Sequence, residues 1–394
     1  MQIFGFDHLA YPVAMDHLKV DGELPYPLPK RHFDPATAVG NYNEHLDAWE
    51  LMEELGFDGI GFNEHHTSPY GMMASPNLMA AAASQRTKKM KLLIYGNCLP
   101  IHQPLRLAEE LSMLDCLTDG RLISGFVRGI PQEYAAYGED LADSRARFEE
   151  AWEIIKLAWS EESFTYDGQF WSYKDVAIWP RPVQQPRPLV WVPVTISKET
   201  IEWAARENIP ITPGANATQP VRKDMIRFYA QCLNQAGHQI TPEHLTLGAS
   251  VYVADSREQA VKEAGPYMLY FFHTLFSHGN TYNVASQRNS GYRSESDNDY
   301  IRPENREGLL KAMQGFRSMT LEDVENNERV CWGTPEEVTD SLIELADSLG
   351  GSTFMLNLNQ GSMPHDLYMR NVKRFGEEVL PALKAHQVTA VPLD

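Results

Sequence analysis

The chain is predicted to fold as a (β/α)₈ TIM barrel with insertions, and three observations predict it. Segments of strand character alternate with segments of helical period, and the strand candidates number eight. No Gly-x-Gly-x-x-Gly follows the first strand, which weighs against a doubly wound open sheet. The strand candidates are 2–8, 58–63, 90–97, 122–127, 188–194, 209–212, 246–253 and 352–358. Helical patterns fill most of the gaps between them, at 42–55, 105–117, 145–159, 199–207, 220–236, 335–349 and 367–385. The first of these carries Leu46, Trp49, Leu51, Met52 and Leu55, and Gly56 follows as its stop signal.

Two stretches depart from the repeat within what is expected to be a single domain over 1–394. Between 164 and 188, Tyr166-Asp167-Gly168-Gln169-Phe170-Trp171 precedes a proline-rich run, which predicts a hairpin and an extended connector on the barrel rim. Between 278 and 303 the residues are mostly Asn, Ser, Gly, Arg and Asp, with few apolar side chains to anchor them, which predicts a mobile loop. Such an excursion reads either as a lid over the site or as a surface insertion.

Composition narrows the class of function. The 394 residues are 43% hydrophobic and 22% charged, enough for a large buried core. A formal charge of -19 with no run of lysine or arginine excludes nucleic acid and anionic membrane surfaces as expected partners, although single arginines can still hold one phosphate. The four cysteines, Cys98, Cys116, Cys232 and Cys331, are widely spaced and form no Cys-x-x-Cys, so neither a zinc site nor a disulfide framework is expected. No run of 18 apolar residues and no cleavable leader are present, and a cytoplasmic protein is expected.

Asn63-Glu64-His65-His66 closes the apolar run 57–62, and so stands at the carboxyl end of a strand, where ligand and catalytic groups converge in βα-repeating folds. Adjacent strand residues face opposite ways, so one histidine is expected to be functional and the other supporting. No His-x-His pair lies on a predicted strand, which favours acid–base chemistry over a metal centre.

Thr118-Asp119-Gly120-Arg121-Leu122-Ile123-Ser124-Gly125-Phe126-Val127-Arg128-Gly129 gives a turn, a short apolar strand and an arginine at its carboxyl end. Together with Glu64-His65-His66, Asp143-Ser144-Arg145 and Ser197-Lys198-Glu199-Thr200-Ile201-Glu202-Trp203-Ala204-Ala205, it resembles the bacterial luciferase-like family of flavin-dependent monooxygenases. The likeness runs from about Leu51 to Gly214, and Gly333-Thr334-Pro335-Glu336-Glu337 is compatible with it. The resemblance implies a (β/α)₈ barrel, usually dimeric, and here expected to be a homodimer. It also implies reduced flavin mononucleotide (FMN) supplied by a separate flavin reductase, reacting with O₂ through a C4a-peroxyflavin to oxygenate a small organic substrate.

Carried over residue by residue, the resemblance makes Arg128 and Arg145 the arginines that hold the flavin phosphate, with Ser197 and Thr200 as hydroxyl donors at a helix start. The physics agrees, because a helix N-terminus and two guanidinium forks favour a dianion. Taken singly, Ser197 also reads as an ordinary N-cap and the arginines as surface ion pairs. His65 matches the family's catalytic histidine, since imidazole can accept or return a proton near neutrality; a strand-end histidine can equally be a hydrogen-bonded structural residue. Glu64 is expected to orient groups beside it, and His66 to be structural. Asn97 is a candidate donor to the flavin edge. Tyr95-Gly96-Asn97 occupies the strand end where luciferase has a non-proline cis peptide, and Val127 stands where some luciferases have a reactive cysteine.

The substrate is less defined. Tyr70, Met72, Met73, Tyr134, Phe271, Phe272 and Phe276 near rim segments suit an apolar substrate and suit barrel core equally. Two other functions remain open: a deazaflavin (F420)-dependent hydride-transfer oxidoreductase, and a flavin-binding protein without chemistry.

Overall fold

The computed structural model describes residues 1–214, 217–279, 286, 292, 299–306 and 318–393. In chain order its strands are β1 Gln2–Asp7, β2 Gly59–Phe62, β3 Lys91–Ile94, β4 Asn97–Cys98, β5 Leu122–Val127 and β6 Phe164–Asp167, then β7 Ser172–Val176, β8 Leu189–Val194, β9 Ile211–Pro213, β10 Thr246–Val253, β11 Val330–Gly333 and β12 Thr353–Asn357. Parallel pairing runs β10-β12-β1-β2-β3-β5-β8-β9, and a parallel bridge between Ile211 and Leu245 brings the ends of this path together. These eight strands are the (β/α)₈ set read from the sequence. Ser250 pairs with both Asn357 and Val330, so the second half of β10 carries β12 on one edge and the additional strand β11 on the other.

Helix starts are written locally as a capping side chain followed by proline. Asp34 accepts from Ala36 and Thr37 ahead of Pro35–Leu55, and Ser75 accepts from Leu78 ahead of Pro76–Arg86. Thr334 and Glu337 form a capping box ahead of Pro335–Leu349. The helix expected at 42–55 therefore begins seven residues earlier, at a cap that the apolar pattern does not mark. The alanine-rich helix Pro76–Arg86 was missed for the same reason: its sequence has little polar contrast. Helix Arg257–Tyr270 and strand β11 were also absent from the sequence reading.

Three boundaries are corrected. The strand expected at 90–97 is split into β3 and β4 by a cis peptide at Tyr95–Gly96. The one expected at 209–212 lies at 211–213. The helix expected at 367–385 is His365–Arg374, a π-helical turn over Phe375–Val379, and Leu380–Ala385, where Pro381 has no N–H for the regular ladder. Phe164–Asp167 and Ser172–Val176 make an antiparallel hairpin outside the barrel sheet. The loop expected over 278–303 falls mostly outside the described residues.

Apolar side chains divide into a shell between strands and helices and a plug inside the barrel. The plug is Phe4, Leu93, Tyr95, Ile123, Trp191 and Met355, with Phe6 packed on it. Its bulk fits because β2 offers glycines inward: a Cβ on Gly59 would lie 2.2 Å from the Phe4 ring, and one on Gly61 would lie 2.8 Å from Met355 Cε. The plug seals the barrel below its carboxyl end, so solutes reach only the mouth. Gly125 is tighter still, because a Cβ there would stand 2.3 Å from the Ile94 carbonyl oxygen and 2.9 Å from that of Trp191. Backbone cannot yield as a side chain can, so Gly125→Ala is expected to lower unfolding free energy by about 3 kcal/mol. Urea denaturation checks this, and an unchanged midpoint would refute the packing argument.

Candidate active site at the barrel mouth

Strand β2 ends at Phe62, so Asn63-Glu64-His65-His66 leaves the sheet as irregular chain and strict alternation no longer fixes where each side chain points. Tertiary contacts do that instead. Glu64 is buried and gathers three partners: His66 Nε2 at 2.9 Å, His102 Nε2 at 2.9 Å, and the Asn97 amide, which donates at 2.9 Å. Burial alone would raise this carboxyl; the hydrogen bonds from His102 and His66, the His102 charge and the Asn97 amide outweigh it and pull Glu64 down to about 2. His66 is buried and also meets the Tyr137 hydroxyl through Nδ1 at 3.0 Å.

His65 has a different carboxylate. Its Nδ1 lies 3.2 Å from Glu133 Oε1, while Glu133 Oε2 accepts from the Ile130 N–H at 2.7 Å. Glu133 is almost wholly buried, whereas the His65 side chain keeps 23% of its surface accessible. A proton on Nδ1 shared with Glu133 leaves Nε2 as the acceptor facing the mouth. The sequence reading missed Glu133, which sits in the first turn of helix Pro131–Tyr137 just after the Arg128-Gly129 strand end. A carboxylate so close to that turn was the available signal. It missed His8 as well, the next inward position after Phe4 and Phe6; burial, and then the facing His65, push the His8 imidazole down to about 3.

The second cluster is cationic. Arg145 donates from Nε to Glu199 at 2.9 Å and from Nη2 to Thr200 Oγ1 at 2.9 Å and Ser197 Oγ at 3.3 Å. Its Nη1 is buried with no hydrogen-bond partner among the described residues. Burial, and next the neighbouring Arg128 charge, lower the Arg145 guanidinium. Ser197 caps helix Lys198–Arg206, accepting from the Thr200 N–H. Arg145, Ser197 and Thr200 therefore meet at one helix N-terminus at the end of β8, with Arg128 near enough for its charge to act on Arg145. Arg128 also donates to the Tyr292 carbonyl at 3.2 Å and lies 4.4 Å from the Tyr292 ring centre.

Asn97 lies on the short strand β4, which pairs with the end of β5. It gives one amide hydrogen to Glu64, and its Oδ1 is buried without a partner. Gly96 lies against Gly125 backbone to backbone. Cys98, rather than residue 127, places a thiol by the arginine, its Sγ donating to the Arg128 carbonyl at 3.2 Å. Burial, and then the Glu133 and Glu64 charges, hold that thiol well above its ordinary range, so it stays protonated.

Of the aromatic and methionine candidates, Tyr70, Phe271, Phe272 and Phe276 gather in one cluster beside the mouth, while Met73 belongs to the shell core and Tyr134 binds the Arg128 carbonyl. No helix among the described residues is long and apolar enough to cross a membrane.

The Glu64 network makes a pH-dependent prediction. Its folded value of about 2 lies below the ordinary 4.5, so its contribution to stability is fully present above 4.5 and is lost as pH falls toward 2. Glu64→Gln is expected to cost about 3 kcal/mol at neutral pH, the scale for breaking a buried pair. The gap between the two proteins should narrow through that acid window. Chemical denaturation at a series of pH values measures it, and a gap independent of pH would show that the carboxylate charge is not what matters.

Residues 26–352 match the model of the luciferase-like monooxygenase family. The alkanal monooxygenase alpha chain of Photorhabdus luminescens is 25% identical over 338 residues, spanning 86% of this chain and 90% of its own. The oxygenating constituent of 3,6-diketocamphane monooxygenase from Pseudomonas putida, solved in complex with FMN, superposes with a TM-score of 0.70 at 17% identity, covering 97% of this chain and 98% of that one. An F420-dependent secondary alcohol dehydrogenase, solved with an F420–acetone adduct, superposes at 0.64 with 17% identity and covers 97% and 98%. At such identities the two structural likenesses speak for the fold alone.

Proposed function

This chain belongs to the luciferase-like monooxygenase family, and from that premise we propose that it is an oxygenase using reduced FMN and O₂ to oxidise a small apolar organic molecule. The observation that carries the reading is the meeting of Arg145, Ser197 and Thr200 at the start of helix Lys198–Arg206, with the Arg128 charge beside Arg145. Arg145 already pairs with Glu199, and the remaining repulsion from Arg128, the helix N-terminus and a buried Nη1 with no hydrogen-bond partner among the described residues favour an added anion there. These four residues fit the FMN phosphate. Asn97, whose Oδ1 lacks a partner, fits the polar edge of the ring system.

Bound there, reduced flavin supplies the electrons that split O₂, one oxygen atom going to the substrate and the other leaving as water. The protein supplies the proton handling. Glu133 holds His65 by Nδ1, so that Nε2 takes up or returns a proton at the mouth. Glu64 fixes Asn97, His66 and His102 and so shapes the wall beside His65 without touching its ring nitrogens. The plug beneath keeps water from entering through the barrel. Reduced flavin would come from a separate reductase and the working unit would be a homodimer, as the family resemblance implies.

Anaerobic titration with reduced FMN and with reduced F420, followed by mixing with oxygen, tests the reading. Binding of FMN and oxygen-dependent product formation are expected. Exclusive binding of F420 with hydride transfer would replace the oxygenase by a dehydrogenase, and binding of FMN without turnover of any substrate would leave a flavin-binding protein.

A further inference from the structure

Beside His65 a chain of aromatic rings runs through Tyr70 to His8, Phe271 and Phe276. Phe6, near the end of β1, and His8, just past it, lie 4.8 Å apart between ring centres. Tyr70 stands edge-on to His65 at 4.5 Å and lies 5.2 Å from His8. Phe271 lies 4.9 Å from His8 and 5.5 Å from Tyr70, and Phe276 completes the wall at 5.6 Å from Tyr70.

Two backbone devices hold these rings in place. Phe271 opens a π-helical turn, Phe271–Leu275, on the end of helix Arg257–Tyr270, and Phe276 follows it; π turns are rare and gather at functional sites. Gly71 lets the Tyr70 segment settle against the histidines, since a Cβ there would be 3.0 Å from the His8 carbonyl oxygen and 3.6 Å from His65 Cβ. Tyr70, Phe271 and Phe276 belong to a cluster apart from the main core, Phe6 packs on the plug, and Phe6, His8, His65, Tyr70 and Phe276 keep accessible surface while Phe271 is buried. Asn63, next to Gly71, is buried with neither its amide nitrogen nor its oxygen paired, an uncommitted polar handle at the same place.

Resting on the oxygenase reading above, we propose that the substrate is a flat aromatic or heteroaromatic compound held edge-to-face in this box against His65, rather than an unbranched alkanal. Rings attract rings when their centres are about 4.5–7 Å apart and their planes tilted, the spacing this wall already repeats. A flexible chain would gain no such geometry and would lose rotor entropy against rigid walls.

The test is equilibrium dialysis of the full chain against 4-propylbenzaldehyde and decanal, two monoaldehydes with the same number of carbons. Area burial alone favours decanal, the more apolar of the two. The ring compound is expected to bind roughly tenfold more tightly. Phe271→Leu and Phe276→Leu keep apolar bulk and should erase that preference while changing decanal affinity by less than about twofold. Decanal binding as tightly as the ring compound to the unaltered chain overturns the proposal without any variant, and so does an equal weakening of both by the leucines. Titration with reduced FMN on the same preparation separates the two readings. Ring preference without flavin binding sinks the oxygenase reading and leaves the box standing; flavin binding without ring preference does the opposite.

Discussion

His65→Ala is expected to lower the rate of oxygenated product formation by about 10²- to 10⁴-fold, the usual cost of removing a positioned acid–base group. Reduced-flavin affinity should change little, because the phosphate cluster at Arg145 belongs to other elements and makes no contact with His65. The geometry behind the expectation is directional. Glu133 occupies Nδ1 and is itself pinned by the Ile130 N–H, so the imidazole is held from one side and Nε2 is left as its other nitrogen for proton exchange. Single-turnover mixing of the flavin-loaded protein with oxygen measures both quantities. Normal product yield and rate would remove His65 from the chemistry. His66→Ala should behave differently, since His66 is buried between Glu64 and Tyr137: it should lower thermal stability and spare the rate in whatever protein remains folded. The reverse pattern would mean that the two histidines are assigned backwards. Glu133→Gln separates positioning from bulk, because it should shift the pH profile of kcat while keeping the side-chain volume.

Arg128→Ala is expected to weaken reduced FMN binding by about 1.5–3 kcal/mol, roughly 10- to 150-fold, the range for a charge-assisted hydrogen bond. Arg128 is the better choice than Arg145 because, among the described residues, its removal breaks only its contacts to Tyr292, whereas Arg145 ties Glu199, Ser197 and Thr200 together. The dissociation constant from anaerobic fluorescence titration is the readout. Because the interaction is with a phosphate, riboflavin, which lacks one, should show little difference between the unaltered and altered proteins. A loss equal for FMN and riboflavin would place Arg128 at the ring or in the fold, and an unchanged FMN constant would end the phosphate assignment.

The eight barrel strands were legible from the sequence because each is a short apolar run between turn signals, a local property. The strand-end position of Glu64, His65 and His66, and the cap at Ser197, were legible on the same footing. Tertiary structure decided the pairings. Glu64 and His65 are neighbours in sequence, yet Glu64 binds His102 and Asn97, and His65 takes its carboxylate from Glu133, 68 residues away. Alternation could not predict this, because the chain leaves the sheet at Phe62 and alternation holds only where the ladder holds. Arg128 and Arg145 likewise come from a strand end and a separate helix, and their electrostatic coupling exists only once both are folded onto the start of helix Lys198–Arg206. The rim aromatics show the limit most plainly: sequence left Tyr70, Phe271 and Phe276 suspended between core and site. Packing sorted them by exposure, Phe271 buried and Tyr70 and Phe276 half-buried in one cluster, because accessibility belongs to the packed molecule and to no single residue.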